Sequence, residues 1–212
     1  MKAIVAIASL VLVTNGAAHA QPVQKSAADC GADQHGKFMN MSPKEFDQTL
    51  DEGWRVVGDA EGCERAAADL IAMYRDEVLA QDMAGLDWHE AQLRAATGDT
   101  EAALTLFRRN LVFRRKLANE IGDTADVLDA EATIAYLERD LPRLQAKRAE
   151  LAALPKPDWF DALAADYAKH NPDAAASMAW PRNLNVVDGF IACFDKPYRE
   201  AYSFACQPKP VQ

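Results

Sequence analysis

The sequence predicts an all-α fold of stacked antiparallel helix hairpins, and three observations predict it. A glycine–aspartate turn recurs: Val57-Gly58-Asp59-Ala60-Glu61 returns forty positions later as Thr97-Gly98-Asp99-Thr100-Glu101. A degenerate copy, Glu138-Arg139-Asp140-Leu141-Pro142, follows forty-one positions after that. Apolar residues beside each turn repeat at the three- and four-residue spacing of a helix that buries one face. No strand-like alternation of real length occurs.

The chain opens with Met1-Lys2, an apolar run from Ala3 to Val13, and the small-x-small ending Ala18-His19-Ala20. This is the pattern of a secretory signal peptide over residues 1–20, cleaved before Gln21. The run is too short to cross roughly 30 Å of hydrocarbon. The expected location is periplasmic or secreted, with no membrane insertion once the signal is removed. The formal net charge of the 212 residues is -9, and loss of Lys2 makes it about -10. Such a surface repels nucleic-acid phosphate, so nucleic acid is not an expected partner.

Residues 21–41 form an N-terminal arm carrying Cys30. Four cysteines follow the leader, at Cys30, Cys63, Cys193 and Cys206. An even count in an exported chain implies two disulfides. Three connectivities are possible, and closeness in sequence favours Cys30–Cys63 and Cys193–Cys206. A zinc site is the alternative, but no two cysteines have the close C-x-x-C spacing it favours.

Residues 42–154 hold three hairpins. Ser42-Pro43-Lys44-Glu45 reads as a capping box with proline at the first helical position. Phe46, Leu50 and Trp54 then make one stripe, and Ala66, Leu70, Tyr74 and Val78 the stripe of the partner helix. In the second hairpin Trp88, Ala91 and Ala95 face Ala103, Leu106, Phe107 and Leu111. In the third, Leu128, Thr133, Ile134 and Leu137 precede Leu144, Leu151 and Leu154. At each turn glycine can take the left-handed conformation that ends a helix, and aspartate can cap the next. Pro142 falls in a first turn, where its missing amide costs nothing. Stacking such helices buries stripes that none can bury alone.

Gly98-Asp99-Thr100-Glu101-Ala102-Ala103-Leu104-Thr105-Leu106-Phe107 resembles the turn and second helix of a tetratricopeptide repeat. Ala103 and Phe107 stand at its packing positions, and Ala91 matches the small residue of the first helix. The chain departs from the pattern in three ways: Arg94 replaces the first-helix aromatic, no proline closes the repeat, and the period is near forty rather than thirty-four. The resemblance spans roughly Ser42 to Leu154. It implies a tetratricopeptide-like α-solenoid that binds proteins or peptides through the concave face of its first helices. Trp88, Gln92 and Ala95 would line that face in the second hairpin; core packing is the competing role for Trp88.

Residues 155–212 read as a helical capping segment. Pro155-Lys156-Pro157 marks a break, and Asp158 caps a helix carrying Trp159, Phe160, Leu163 and Tyr167. Asn171-Pro172-Asp173 restarts a short helix. Trp180 to Gly189 forms a turn entering a final apolar helix through Cys193.

Catalytic motifs do not assemble. His89-Glu90 lacks the second histidine of H-E-x-x-H, since Leu93 stands at that position; a solvated polar face is expected there. His35 and His170 have no partners at ligand spacing. No G-x-S-x-G elbow and no phosphate-cradling glycine loop are present, and no cofactor or metal is expected. Carboxylate pairs such as Asp47/Asp51 and Asp126/Asp129 leave a small hydrolase as the alternative, and the acidic surface an inhibitor or immunity-type protein. Arg108-Arg109 and Arg114-Arg115-Lys116 form a local basic patch. It is either a face neutralised by neighbouring acids or a dock for an acidic partner through Arg108, Arg109 and Arg115. The expected function is a non-catalytic protein- or peptide-binding module.

Overall fold

The computed structural model describes residues 23–78, 84–170 and 179–208. The expected leader and the helix start at Asn171-Pro172-Asp173 lie outside them. Ten α-helices appear among the described residues: α1 (His35–Met39), α2 (Gly53–Gly58), α3 (Glu64–Val78), α4 (Ala84–Ala96), α5 (Thr100–Ile121), α6 (Ala125–Leu137), α7 (Leu141–Ala152), α8 (Trp159–His170), α9 (Leu184–Ala192) and α10 (Tyr198–Ala201). One π-turn, Lys44–Gln48, precedes α2, and the described residues contain no strand. From α2 to α7 each helix packs against the next, while α9 lies on α6 and α7 and α10 lies on α4 and α9.

The second and third copies of the repeated turn share one geometry. Gly98 is left-handed, and the Asp99 amide donates back to the Arg94 carbonyl at 2.9 Å. Arg139 takes the left-handed place of that glycine, and the Asp140 amide donates to the Ala135 carbonyl, also at 2.9 Å. This five-residue return is the bond that closes a helix with a left-handed cap. The cap at the start of the next helix differs. Asp140 accepts from the Arg143 amide at 3.0 Å, whereas Asp99 makes no such bond and faces the Arg94 guanidinium at 3.7 Å.

The first copy departs from expectation. Gly58 ends α2 without a positive φ, and the chain reverses instead at Gly62, whose φ is 78°. Gly58 serves packing: a Cβ there would stand 3.3 Å from the Ala67 Cβ. The helix expected through Phe46, Leu50 and Trp54 is also broken. The capping box forms, with the Ser42 amide donating to Glu45 at 2.8 Å, but it opens only the π-turn. Thr49 and Glu52 are extended, and Gly53 is left-handed at φ 58°, so close to Phe46 that a Cβ would lie 1.9 Å from its carbonyl oxygen. Leu50 is left exposed while Phe46 is fully buried and stacked on Tyr74 at 3.7 Å between ring centroids.

Two apolar cores result. One gathers Phe38, Phe46, Val57, Leu70, Ile71 and Tyr74 with Leu86 at the start of α4. The larger one joins α4 to α7 with α9 and α10, centred on α6. All of α6 except Asp126 and Glu131 is buried, as expected of a helix that is apolar all round. Full burial of Phe107 or Leu144 contributes roughly 2–3 kcal/mol each. The disulfides pair as sequence proximity favours: Cys30–Cys63 ties the arm to the entrance of α3, and Cys193–Cys206 closes the C-terminal segment. No helix among the described residues is long and apolar enough to cross a membrane.

Candidate functional site

The residues expected to line a groove lie on α4, but two of them are covered. Ala95 is buried at 4% exposure within the larger core. The Gln92 amide donates to the Tyr202 hydroxyl of the C-terminal segment at 3.0 Å. Trp88 is half-buried, edge-on to Phe107 at 4.8 Å, with the Arg114 guanidinium 3.8 Å from its ring centre. Its indole therefore packs against the core on one side and is closed by a cation on the other.

What covers α4 and α6 is residues 179–208. This segment carries aromatic rings at a strict four-residue spacing, Phe190, Phe194, Tyr198 and Tyr202. Tyr136 of α6 meets three of them: Phe190 stacked at 4.6 Å, Phe194 edge-on at 5.9 Å and Tyr198 at 6.3 Å. The stack also grips the segment's backbone. The Tyr136 hydroxyl donates to the Lys196 carbonyl, and the Arg139 guanidinium donates to the carbonyls of Phe194 and Lys196. Arg139 reaches them because it occupies the left-handed position of the third turn. At the segment's entry Asn183 donates to Asp129 at 3.1 Å, and Arg182 meets Asp123 at 2.6 Å. At its far side Arg199 meets Glu64 at 2.6 Å.

The segment's buried polar groups are largely matched: the Arg199 nitrogen pairs with Glu64 and the Tyr198 hydroxyl meets the Gln92 amide. Among the described residues the Arg182 Nε has no hydrogen bond of its own, while its neighbouring nitrogen holds Asp123. Beneath the segment a cavity of about 260 Å³ opens between Ala95, Gly98, Leu137, Arg139, Pro197 and Tyr198.

The remaining candidates are held in internal ion pairs. Arg108 meets Glu138 at 2.5 Å, Arg109 forks onto Asp87, and Arg115 meets Glu131 at 2.6 Å. The basic patch is thus matched by acids of α4 and α6 and of the turn after α6. His89-Glu90 is not the solvated face expected. Glu90 is buried between Arg75 of α3 and Arg94, and His89 sits 3.6 Å from the buried carboxylate of Asp47. Burial holds the His89 imidazole below its usual range, against the pull of Asp47. Of the two carboxylate pairs, Asp47 is buried and Asp51 exposed, so they do not share a site. Asp129 is fully buried, and burial lifts its carboxyl to about 6 despite the Arg114 guanidinium 3.7 Å away. No cluster of three or more metal-ligating side chains is placed to hold an ion among the described residues. The aromatic ladder is the feature sequence reasoning missed; its four-residue period was the available signal.

Comparison with family models, with curated proteins and with solved structures finds no match to this chain.

Proposed function

We propose that this chain is an exported, disulfide-stapled binding protein whose hairpins stack antiparallel, in the tetratricopeptide-like manner, to present a peptide-binding surface on α4 and α6. The observation that carries this reading is that the surface already holds a polypeptide by its main chain. Tyr136 and Arg139 donate to the carbonyls of Phe194 and Lys196 while the segment's aromatic rings fill the space around Tyr136. Donation to carbonyls fixes a peptide whatever its sequence, and the aromatic contacts add selectivity. The buried acids support a scaffold over a hydrolase, since Asp87, Glu90 and Asp129 each face an arginine. Pull-down with the mature chain from an extract of the exported compartment tests the proposal. Recovery of a protein that rebinds in purified form, and that Arg139→Ala weakens, is the expected result. Failure to recover any partner, together with turnover of a small substrate, would contradict it.

A further inference from the structure

We infer that a cavity between α1 and α2 docks a lysine side chain of a partner polypeptide. The cavity, of about 340 Å³, opens between the stretch from Lys37 to Met41 and the turn that enters α2. None of its lining residues belongs to α4 or α6, so the inference does not rest on the reading of that surface. Its volume lies at the lower end of the roughly 300–1,000 Å³ typical of small-ligand sites. Phe38, Met41 and Val56 supply an apolar wall, and Val56 is left 51% exposed there.

Charge complementarity selects the occupant. Glu45, Asp51 and Glu52 border the cavity, against a single cation, Lys37. Acids of the helical stack face arginines, as Glu90 faces Arg75 and Arg94 and Asp87 faces Arg109. Asp51 and Glu52 instead are exposed and form no ion pair among the described residues. The left-handed Gly53, pinned against the Phe46 carbonyl, fixes the turn that carries them. Glu45 is held through one oxygen by the Ser42 amide and hydroxyl, at 2.8 and 2.7 Å, which leaves its other oxygen open. The same bonds keep its carboxyl below the usual range, and therefore ionised at neutral pH. Lys37 pairs with none of the three acids; its Nζ lies 5.1 Å from the Phe38 ring centre. A concave, apolar-walled site with a net negative lining focuses its field on a cation. Lysine suits it better than arginine does. Its ammonium carries three separate donors for three separate carboxylates, and its methylene stem can lie on Met41 and Val56. The planar arginine fork is matched to one carboxylate at a time.

The test is a titration of the isotopically labelled mature chain with Nα-acetyl-lysine methylamide, followed through backbone amide shifts. The amides of Asn40, Met41, Gly53 and Val56 should move to saturation. The norleucine analogue, which keeps the stem and lacks the ammonium, should bind roughly tenfold more weakly. Asp51→Asn combined with Glu52→Gln should weaken lysine binding by a similar factor. Both side chains are exposed, and unchanged shifts elsewhere in the spectrum verify the fold. Lys37→Ala should tighten binding about twofold by removing the competing cation, a gain that no loss of structure produces. Absence of a saturable shift, equal binding of the norleucine analogue, or unchanged affinity in the doubly substituted chain would overturn the inference. Tighter binding of free cadaverine than of the capped lysine would overturn it as well, since the cavity would then take a free amine rather than a polypeptide side chain.

Discussion

The N-terminal arm and the C-terminal segment use the same covalent device in different surroundings. Each is a stretch of short helices and turns held by one cystine, Cys30–Cys63 closing 33 residues and Cys193–Cys206 closing 13. The arm's polar groups are matched. Lys25 donates to the Gly62 carbonyl at 2.8 Å, and the Gln24 side chain accepts from the Arg65 amide at 3.0 Å, a free donor in the first turn of α3. The C-terminal segment is held chiefly by aromatic rings on Tyr136, with ion pairs at both ends, Arg182 with Asp123 and Arg199 with Glu64. A crosslink limits how far a segment can travel; the contacts around it decide how it docks.

Cystine removal breaks the comparison most sharply. Chain-entropy arguments give about 4 kcal/mol for the longer loop and about 3 kcal/mol for the shorter. Replacing Cys30 and Cys63 by alanine should therefore lower global stability by about 4 kcal/mol in urea titration. Removing Cys193 and Cys206 should chiefly speed local exchange around α10. Gly53→Ala comes next. Its left-handed backbone and the Phe46 carbonyl 1.9 Å from a Cβ predict a loss of about 3 kcal/mol, read from the same titration.

Asp129 at the segment's entry gives a pH signature. Burial raises its carboxyl to about 6, so the folded chain keeps a proton that an unfolded aspartate, near 3.9, has already released. Its contribution to stability is therefore largest below about pH 4 and is lost as pH rises to about 6. Asp129→Asn should remove that slope, worth about 2 to 3 kcal/mol at most, in melts recorded from pH 4 to 7. A slope unchanged in the variant would show that Asp129 is not its source. Tyr198→Phe is the smallest effect: deleting the buried hydroxyl that meets the Gln92 amide should cost about 1 kcal/mol and speed exchange around α10.

The middle of the chain was legible because its signals are local. The left-handed residue and the aspartate of the second and third turns sit within three positions of each other, and the stripes of α4 to α7 follow helical period. The break between Phe46 and Trp54 was not legible from the stripe, because nothing in an apolar pattern reveals that Gly53 must approach the Phe46 backbone. The burial of His89-Glu90 is hidden from the sequence for a different reason. Glu90 is buried by Arg75, which arrives from α3, and Asp87 by Arg109 from α5, so the pairing is written in tertiary contacts. Of the expected binding residues, Gln92 meets Tyr202 of the covering segment and Ala95 lies in the core, while Trp88 packs between Phe107 and Arg114. The groups that grip the segment, Tyr136 and Arg139, come from α6 and the turn after it, about forty positions beyond the Gly98-Asp99 turn that ends α4.

Native-state hydrogen exchange resolved to single amides tests the central contrast most directly. The amides of Ala201 and Tyr202, bonded to Pro197 and Tyr198, should open locally at denaturant levels where those of Cys30 and Ala32, bonded to Ser26 and Ala27, exchange more slowly and the α6 amides only through global unfolding. If the α10 amides instead exchange only with α6, the segment and the central helices open as one unit and the contrast between the two cystine-held stretches is wrong.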